Sequence, residues 1–291
     1  MRYAGIIGNP VGHSLSPVFQ GAAFAASGLA ISYERWETRP DELASRVAAL
    51  RAPDCIGANV TIPFKEAVIP FLDELGGQSA RVGAVNTIVN RDGRLFGFNT
   101  DGPGFVAALR HERAFEVAGK AFLLLGAGGA ARGIAFALAD ARAARITIAN
   151  RTRERGERLA VEVAAASLGC VVRAAADVEP PVGYDCLVNC TSQGMAGGGA
   201  DRALPCDLSE ARPGTLVVDI VYVPTITPWL AAASGAGLPV LGGLPMLIYQ
   251  GALAFELWTG VPAPVETMFE AARAALAERE RVRNAGGARL G

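Results

Sequence analysis

At 291 residues, 51% apolar and 19% charged, the chain is long enough to bury two cores and too apolar to remain disordered. Its 27 lysines and arginines against 28 aspartates and glutamates leave a formal net charge of −1, so the balance gives no support for nucleic acid or an anionic membrane surface as partner. The apolar run after Met1 is too short for a leader, and no apolar stretch reaches the roughly 20 residues of a membrane span, so a soluble cytoplasmic protein is expected.

The first hundred residues alternate strand-like and helical patterns. Residues 3–8 read as a strand, and 17–26 as a helix with Ser16 as N-cap and Pro17 at its first position. Residues 31–37 form a second strand, followed by a helix over 41–50 with Leu43, Val47 and Leu50 at helical spacing. A strand over 55–61 leads to an expected helix over 63–75. Two apolar runs, 84–90 and 95–99, are then joined by Arg91-Asp92-Gly93, a hairpin signal. This order predicts a mixed, mainly parallel sheet with helices on both faces.

A second unit starts near Gly102 with a helix to about Arg110. Residues 121–125 form an almost purely apolar strand, followed by a glycine turn, a helix over 130–139 and a strand over 145–150. Further strands are expected at 185–189, 216–220 and 239–241, making a doubly wound βαβ series. Helices are expected over 248–259 and 265–282, with a frayed polar tail from Arg283. The five cysteines (Cys55, Cys170, Cys186, Cys190 and Cys206) contain no Cys-x-x-Cys pair and read as core thiols. The two histidines, His13 and His111, lie in no ligand-spaced cluster, so no metal site is expected.

The turn Gly126-Ala127-Gly128-Gly129-Ala130-Ala131 follows a strand and opens a helix, the context of a dinucleotide-binding loop. Gly126 permits the turn, Gly128 lets backbone approach a pyrophosphate, and Ala131 takes the close-packing third position. The helix N-terminus offers unbonded N–H groups to phosphate. A carboxylate normally stands at the end of the next strand to hold a ribose 2′-hydroxyl; here Asn150 stands there, followed by Arg151, Thr152 and Arg155. Guanidinium groups in place of a carboxylate fit a 2′-phosphate, so NADP is expected over NAD. The competing reading of these arginines is a solvated helix laced by Glu154 and Glu157, which is preferred for Arg158.

Lys65 follows the strand holding Asn59 and Thr61, and Asp101 closes the run Asn99-Thr100-Asp101-Gly102. An amine and a carboxylate at strand ends suit a general acid/base pair, and equally a surface salt bridge. Spacing alone leaves both open.

The chain resembles the shikimate dehydrogenase family from Gly8 to about Gly260. The resemblance rests on Ser14-Leu15-Ser16-Pro17, Asn59-Val60-Thr61-Ile62-Pro63-Phe64-Lys65, Asn86-Thr87, Asn99-Thr100-Asp101-Gly102, the glycine turn and Asn150-Arg151-Thr152. It continues through Asn189-Cys190-Thr191, Asp219-Ile220-Val221-Tyr222 and Met246 to Gln250. It implies an NADP-linked interconversion of 3-dehydroshikimate and shikimate, with Lys65 and Asp101 as the catalytic pair. By the same resemblance Ser14, Ser16 and Tyr222 bind the substrate carboxylate, while Thr61, Asn86, Asp101 and Gln250 bind ring hydroxyls. Gly126, Ala127, Gly128, Gly129, Ala130, Asn150, Arg151, Thr152, Arg155, Thr191 and Gly243 are the expected cofactor contacts.

The implied partner is thus a hydroxylated cyclic carboxylic acid, on a monomer or homodimer. The chain departs from the family pattern at Gln20-Gly21, Gly242, Pro245 and Tyr249. A paralogue acting on quinate or aminoshikimate is the alternative, and a non-catalytic NADPH-binding regulator a remote one. The expected fold class is α/β in two domains. The first is a mixed, mainly parallel substrate domain over residues 1–101 and 245–291. The second is a Rossmann-type doubly wound NADP-binding domain over residues 102–244, with the substrate held in a cleft between the two.

Overall fold

The computed structural model describes residues 1–195 and 205–287. The chain divides into two compact units, Met1–Thr100 with Gln250–Gly291, and Asp101–Tyr249.

The first unit is built on a six-stranded sheet. Its strands are β1 (Arg2–Gly8), β2 (Ile31–Glu37), β3 (Cys55–Val60), β4 (Glu74–Leu75), β5 (Thr87–Arg91) and β6 (Arg94–Phe98), in the order β2-β1-β3-β5-β6-β4. β1 runs parallel to β2 and β3, whereas β5 is antiparallel to both β3 and β6. The carboxyl ends of β1, β3 and β6 and the start of β5 therefore share one edge of the sheet. The hairpin falls where it is expected: Arg91 pairs with Arg94 across Asp92 and Gly93, both at positive φ (53° and 83°), as a two-residue turn that matches strand twist requires.

Helices α1 (Ser16–Ala26) and α2 (Leu43–Ala49) link the parallel strands, and Leu43, Val47 and Leu50 are buried as their spacing predicts. A 3₁₀ turn over Pro40–Glu42 replaces the first turn of the expected second helix. Two local expectations are corrected. Ser16 is not an N-cap but the first residue of α1; its N–H bonds to Ser14 Oγ at 3.1 Å, so the hydroxyl two residues back does the capping. Residues 63–75 form no α-helix. Proline at position 70 lacks the N–H that Glu66 would receive, and its ring clashes with the preceding turn. The segment instead makes successive turns, a 3₁₀ turn over Ile69–Phe71, and β4, whose Glu74 and Leu75 pair with Phe96 and Gly97 of β6. A short helix, α3 (Ser79–Val82), precedes β5.

The second unit holds β7 (Ala121–Leu125), β8 (Arg145–Ala149), β9 (Val171–Ala175), β10 (Cys186–Asn189), β11 (Leu216–Asp219) and β12 (Val240–Leu241). All pair in parallel in the order β12-β11-β10-β7-β8-β9, the doubly wound arrangement, with its direction reversing between β7 and β10. Helices α4 (Asp101–Arg113), α5 (Gly129–Asp140), α6 (Arg153–Ala166) and α7 (Pro228–Gly235) complete it; α6 is the charged helix weighed for Arg158, while β9 and α7 go beyond the elements expected from sequence. Closely packed α4 and α5 meet at glycine: a Cβ on Gly102 would lie 2.2 Å from the Gly133 carbonyl.

α8 (Leu244–Thr259) and α9 (Val265–Gly287) end the chain. The expectation of a tail fraying from Arg283 meets a helix backbone continuing to Gly287; residues 288–291 lie outside the described ones. Cys55, Cys186 and Cys206 are buried, and burial pushes the Cys55 and Cys206 thiols up to about 11, as suits packing groups. Among the described residues no helix is long and apolar enough to cross a membrane, and no His/Cys/Asp/Glu group could hold a metal.

α8 is fastened to the first sheet by Trp258, whose indole Nε1 donates to the Ile88 carbonyl at 2.8 Å. The indole sits where Gly57 has no side chain: a Cβ there would lie 2.0 Å from Ile88 O and 2.6 Å from Trp258 Nε1, at φ +149°. Gly57→Ala is therefore expected to cost roughly 3 kcal/mol through steric overlap and backbone strain, read as a lower denaturation midpoint at unchanged slope. A loss within about 0.5 kcal/mol, the level of an ordinary surface change, would contradict this placement.

Candidate active site

In the first unit, polar side chains collect at the sheet edge where β1, β3 and β6 end and β5 begins. Ser14 lies half-buried in the loop after β1, held from behind by Arg35, whose guanidinium donates to the Ser14 carbonyl at 2.9 Å, while Arg279 of α9 donates to the His13 carbonyl at 2.8 Å. Because Ser14 Oγ accepts the Ser16 N–H, its own hydroxyl hydrogen is left to donate outward. Ser16 is buried beneath it. Thr61 follows β3, with its N–H on the Ile7 carbonyl at 2.9 Å, and its methyl occupies the space that a Cβ on Gly8 would enter at 2.4 Å. Lys65 lies half-buried in the turn after Phe64, and its carbonyl accepts the Val85 N–H at 2.7 Å, which ties the turn to the strand entering Asn86.

Asn86 is the hub of this edge. It is 2% exposed, and its Nδ2 donates to Thr100 Oγ1 at 2.9 Å and to Gln250 Oε1 at 3.2 Å. Its Oδ1 accepts the Thr100 N–H at 2.7 Å and the Thr87 hydroxyl at 3.2 Å. Asn59 extends the network, with Nδ2 donating to Thr87 Oγ1 at 3.2 Å and to the Asn86 carbonyl at 3.1 Å, while its Oδ1 accepts the Tyr33 hydroxyl at 2.7 Å. Burial pushes the Tyr33 phenol above its ordinary range, against a hydrogen bond from Ser16 that works the other way, so Tyr33 stays neutral and joins Ser16 to Asn59. Ser14, Ser16, Thr61, Lys65, Asn86 and Gln250 thus belong to one unit and one sheet edge, whereas Asp101 opens α4, buried, directly after Thr100.

Sequence reading quotes Thr87 and Thr100 inside motifs and Gln20 as a departure from the family pattern, but it assigns no supporting bonds to them or to Tyr33; Gln20 Nε2 donates to the Gly251 carbonyl at 2.8 Å beside Gln250. Each joins residues far apart in the chain. For Thr87 and Thr100, membership of the quoted motifs is the signal that points to a structural part.

In the second unit the glycine turn follows β7 at the point where strand order reverses. Gly126 has φ +114°, and a Cβ there would meet the Cys190 carbonyl at 3.1 Å, so only glycine brings the turn this close to the loop after β10. A Cβ on Gly128 would meet no protein atom within 4 Å; the space over it is open for a ligand. α5 begins at Gly129 with no side-chain cap, so the N–H groups of its first turn point out unbonded, and Ala131 is buried in the close-packing position.

At the end of β8, Asn150 Nδ2 donates to the Thr152 carbonyl at 2.7 Å, shaping the bend that presents Arg151 and Thr152. Arg151 precedes α6 and Arg155 lies in its first turn, so the two are not spaced on one helix face as their separation of four suggests. Their side chains are exposed and make no ion pair with any described residue, whereas Arg153 pairs with Glu157 at 2.7 Å. Thr191, Tyr222 and Gly243 all lie in this unit, after β10, β11 and β12. The turn, the uncapped helix end and the two cations fit a dinucleotide bearing an extra phosphate.

Three family models match the chain: the shikimate dehydrogenase substrate binding domain over residues 6–88, the shikimate/quinate 5-dehydrogenase model over 108–193, and the shikimate 5′-dehydrogenase C-terminal domain over 243–273. The NADP(+) shikimate dehydrogenase of Geobacillus kaustophilus is 47% identical over 261 residues, covering 88% of this chain and 92% of that protein. The shikimate 5-dehydrogenase of Thermus thermophilus, solved with NADP(H) and shikimate, has 41% identity and a TM-score of 0.85 over 95% of this chain and 100% of that one. The quinate dehydrogenase of Corynebacterium glutamicum, solved with NAD, is 31% identical with a TM-score of 0.83, covering 93% of this chain and 98% of that one.

Replacing Asn86 with alanine would leave the buried Thr100 N–H, the Thr87 hydroxyl and the Gln250 carboxamide with fewer partners. The expected cost is roughly 3 kcal/mol, measured by chemical denaturation. A variant as stable as the parent would show that water readily replaces the carboxamide.

Proposed function

Because the chain belongs to the shikimate dehydrogenase family, we propose that it interconverts 3-dehydroshikimate and shikimate with NADP as the redox partner. The observation that carries this reading is the pair of unpaired guanidiniums, Arg151 and Arg155, beside a glycine turn in a chain that also gathers hydroxyls, carboxamides and an amine at a second set of strand ends. A nucleotide site alone would fit many dehydrogenases; the second set selects a small polyhydroxylated acid.

When bound, the cofactor would supply hydride to the ring carbon as NADPH and take it back as NADP+ in the reverse direction. Gly126 to Ala130, with the first turn of α5, would take its pyrophosphate, while Arg151 and Arg155 would take the 2′-phosphate as charged forks. Asn150 and Thr152 would frame that phosphate, and Thr191 and Gly243 would border the rest of the nucleotide. Ser14 donates its outward hydroxyl to the substrate carboxylate, joined by Tyr222 and, once its hydroxyl swings away from Tyr33, by Ser16, so neutral donors meet the anion. Thr61, Asn86 and Gln250 serve the ring hydroxyls, Asn86 by orienting the Gln250 carboxamide.

Lys65 gives a proton to the carbonyl oxygen as the alcohol forms and takes it back in the reverse direction. Asp101 biases that proton affinity and accepts from a ring hydroxyl. On this reading the substrate unit is Met1–Thr100 with the returning helices and the cofactor unit is the stretch between. The enzyme works in the cytoplasm, as a monomer or homodimer, without nucleic acid.

Quinate remains the second reading, favoured by Gln20, Gly21 and Pro245 at positions where the family pattern differs. Initial rates with shikimate and with quinate, each with saturating NADP and then NAD, separate the two. Turnover confined to quinate would replace the proposed substrate.

Two substitutions test the roles. Lys65→Ala should lower kcat by roughly 10²–10⁴, and near-normal turnover would refute the proton transfer assigned to it. Arg151→Ala with Arg155→Ala should raise the KM for NADP about 10–100-fold while leaving that for NAD unchanged, as loss of charge-assisted phosphate bonds implies. Equal losses with both cofactors would show that the arginines serve the loop and not the phosphate.

A further inference from the structure

The Asp219 carboxyl group, at the end of β11, is fully buried and forms no ion pair with any described residue. Burial pushes its pKa up, while hydrogen bonds from Thr227, Val221 and Asn189 pull it down. Burying an acid without a cation is costly, and an apolar residue of similar size would serve packing better.

What the carboxylate does is join three segments. Its Oδ1 accepts Asn189 Nδ2 at 3.0 Å and the Val221 N–H at 3.0 Å; its Oδ2 accepts the Thr227 hydroxyl at 2.7 Å. Asn189 in turn accepts the N–H of Thr191 at 3.0 Å and its hydroxyl at 2.7 Å, and donates to the Gln193 carbonyl at 3.1 Å. The Val221 carbonyl accepts the Gly243 N–H at 3.2 Å, and a Cβ on Gly243 would lie 2.1 Å from the Ile220 carbonyl, so the chain after β12 rests directly on the peptide that Asp219 holds. Tyr222 is the next residue along that peptide. Thr227 caps α7 by accepting the Leu230 N–H at 3.3 Å.

We propose that Asp219 is a positioning residue that fixes Thr191 and Gly243 in one arrangement for the cofactor, and the start of the Tyr222 segment with them, acting through Asn189, the Val221 peptide and Thr227. This rests on the NADP-linked reading above. The side chain makes no claim on substrate or cofactor itself; it sets where three segments from different strand ends stand relative to one another.

The test measures NADPH dissociation constants by cofactor fluorescence, beside thermal unfolding, for the parent enzyme, Asp219→Ala, Asp219→Asn and Thr227→Val. In the asparagine variant the carbonyl oxygen can keep both Oδ1 bonds and the amide can donate to Thr227 Oγ1, so the geometry survives without the charge. Asp219→Ala should weaken NADPH binding at least about tenfold and Asp219→Asn by less than about threefold, on the scale of one to two hydrogen bonds. Thr227→Val, which cuts one of the three ties, should fall between them.

A folded Asp219→Ala that binds NADPH as the parent does overturns the proposal, whatever happens to its melting temperature. So does an Asp219→Asn as weak as Asp219→Ala, because charge and not geometry would then be at work. If Asp219→Ala does not fold, the other two variants decide. Parent-like affinity in Asp219→Asn together with a loss in Thr227→Val supports the proposal, and parent-like affinity in Thr227→Val overturns it. A parent enzyme that fails to bind NADPH sinks the functional reading and this proposal together, whereas binding by the parent with unchanged variants sinks the proposal alone.

Discussion

The first unit depends on satisfying one buried carboxamide. Asn86 has two donor hydrogens and one acceptor oxygen, and the fold surrounds them with partners from the start of β5, the end of β6 and α8. In a low-dielectric interior such bonds are strong when complete, and an unmet polar group is expensive. Completion therefore demands that Thr87, Thr100 and Gln250 converge although 164 residues separate Asn86 from Gln250. The return of the chain as α8 is thus a condition for closing the strand ends, and Trp258, docked over Gly57, holds the same helix further along.

The second unit meets the same demand differently. Its strands all run parallel, so their carbonyl ends face one edge, and two kinds of device close it. Glycines let main chain approach main chain: Gly126 nears the Cys190 carbonyl, and Gly243 sits on the Ile220–Val221 peptide. An amide and an acid, Asn189 and Asp219, then bind the peptide groups left between them. The edge that results is lined by backbone, which suits a phosphate-bearing ligand, whereas the edge in the first unit is lined by side-chain hydroxyls and amides, which suit a polyol.

What can be read from sequence follows from which interactions are local. The apolar strand 121–125 and the Asp92-Gly93 hairpin rest on period and on backbone preferences, and they appear as expected. The glycine turn is legible for the same reason. The segment 63–75 escapes a local reading because its apolar spacing resembles a helix, while Pro70 and the pairing of Glu74 and Leu75 with β6 decide otherwise. Two serines stand two apart at the start of α1, and local pattern cannot rank them as caps; the Ser14 hydroxyl takes the role, and Ser16 turns inward toward Tyr33. The partners of Tyr33, Thr87, Thr100 and Gln20 are not legible because each acts across the sheet or on a distant helix, and a single chain has no local mark for such a partner.

Charge illustrates how arrangement, and not composition, creates a site. The net charge of −1 predicts no attraction for a polyanion, and three arginines of this unit have acidic partners. Arg132 meets Glu162 at 2.6 Å across α5 and α6, Arg153 meets Glu157, and Arg173 meets Glu179. Those pairs cancel locally and contribute little beyond fastening helices and an edge strand. Arg151 and Arg155 differ because the positions that could neutralise them are occupied otherwise: Glu157 faces Arg153, and Asn150, which would be a carboxylate in an NAD site, is an amide bonded to the Thr152 carbonyl. Two guanidiniums left without counterions beside an uncapped helix end form a concentrated positive spot in a nearly neutral protein. Such a spot attracts a compact dianion within about a Debye length, roughly 10 Å at 0.1 M salt, and gives a neutral ribose hydroxyl no comparable advantage. A preference for NADP would therefore follow from where Arg151 and Arg155 stand, and not from the number of arginines in the unit.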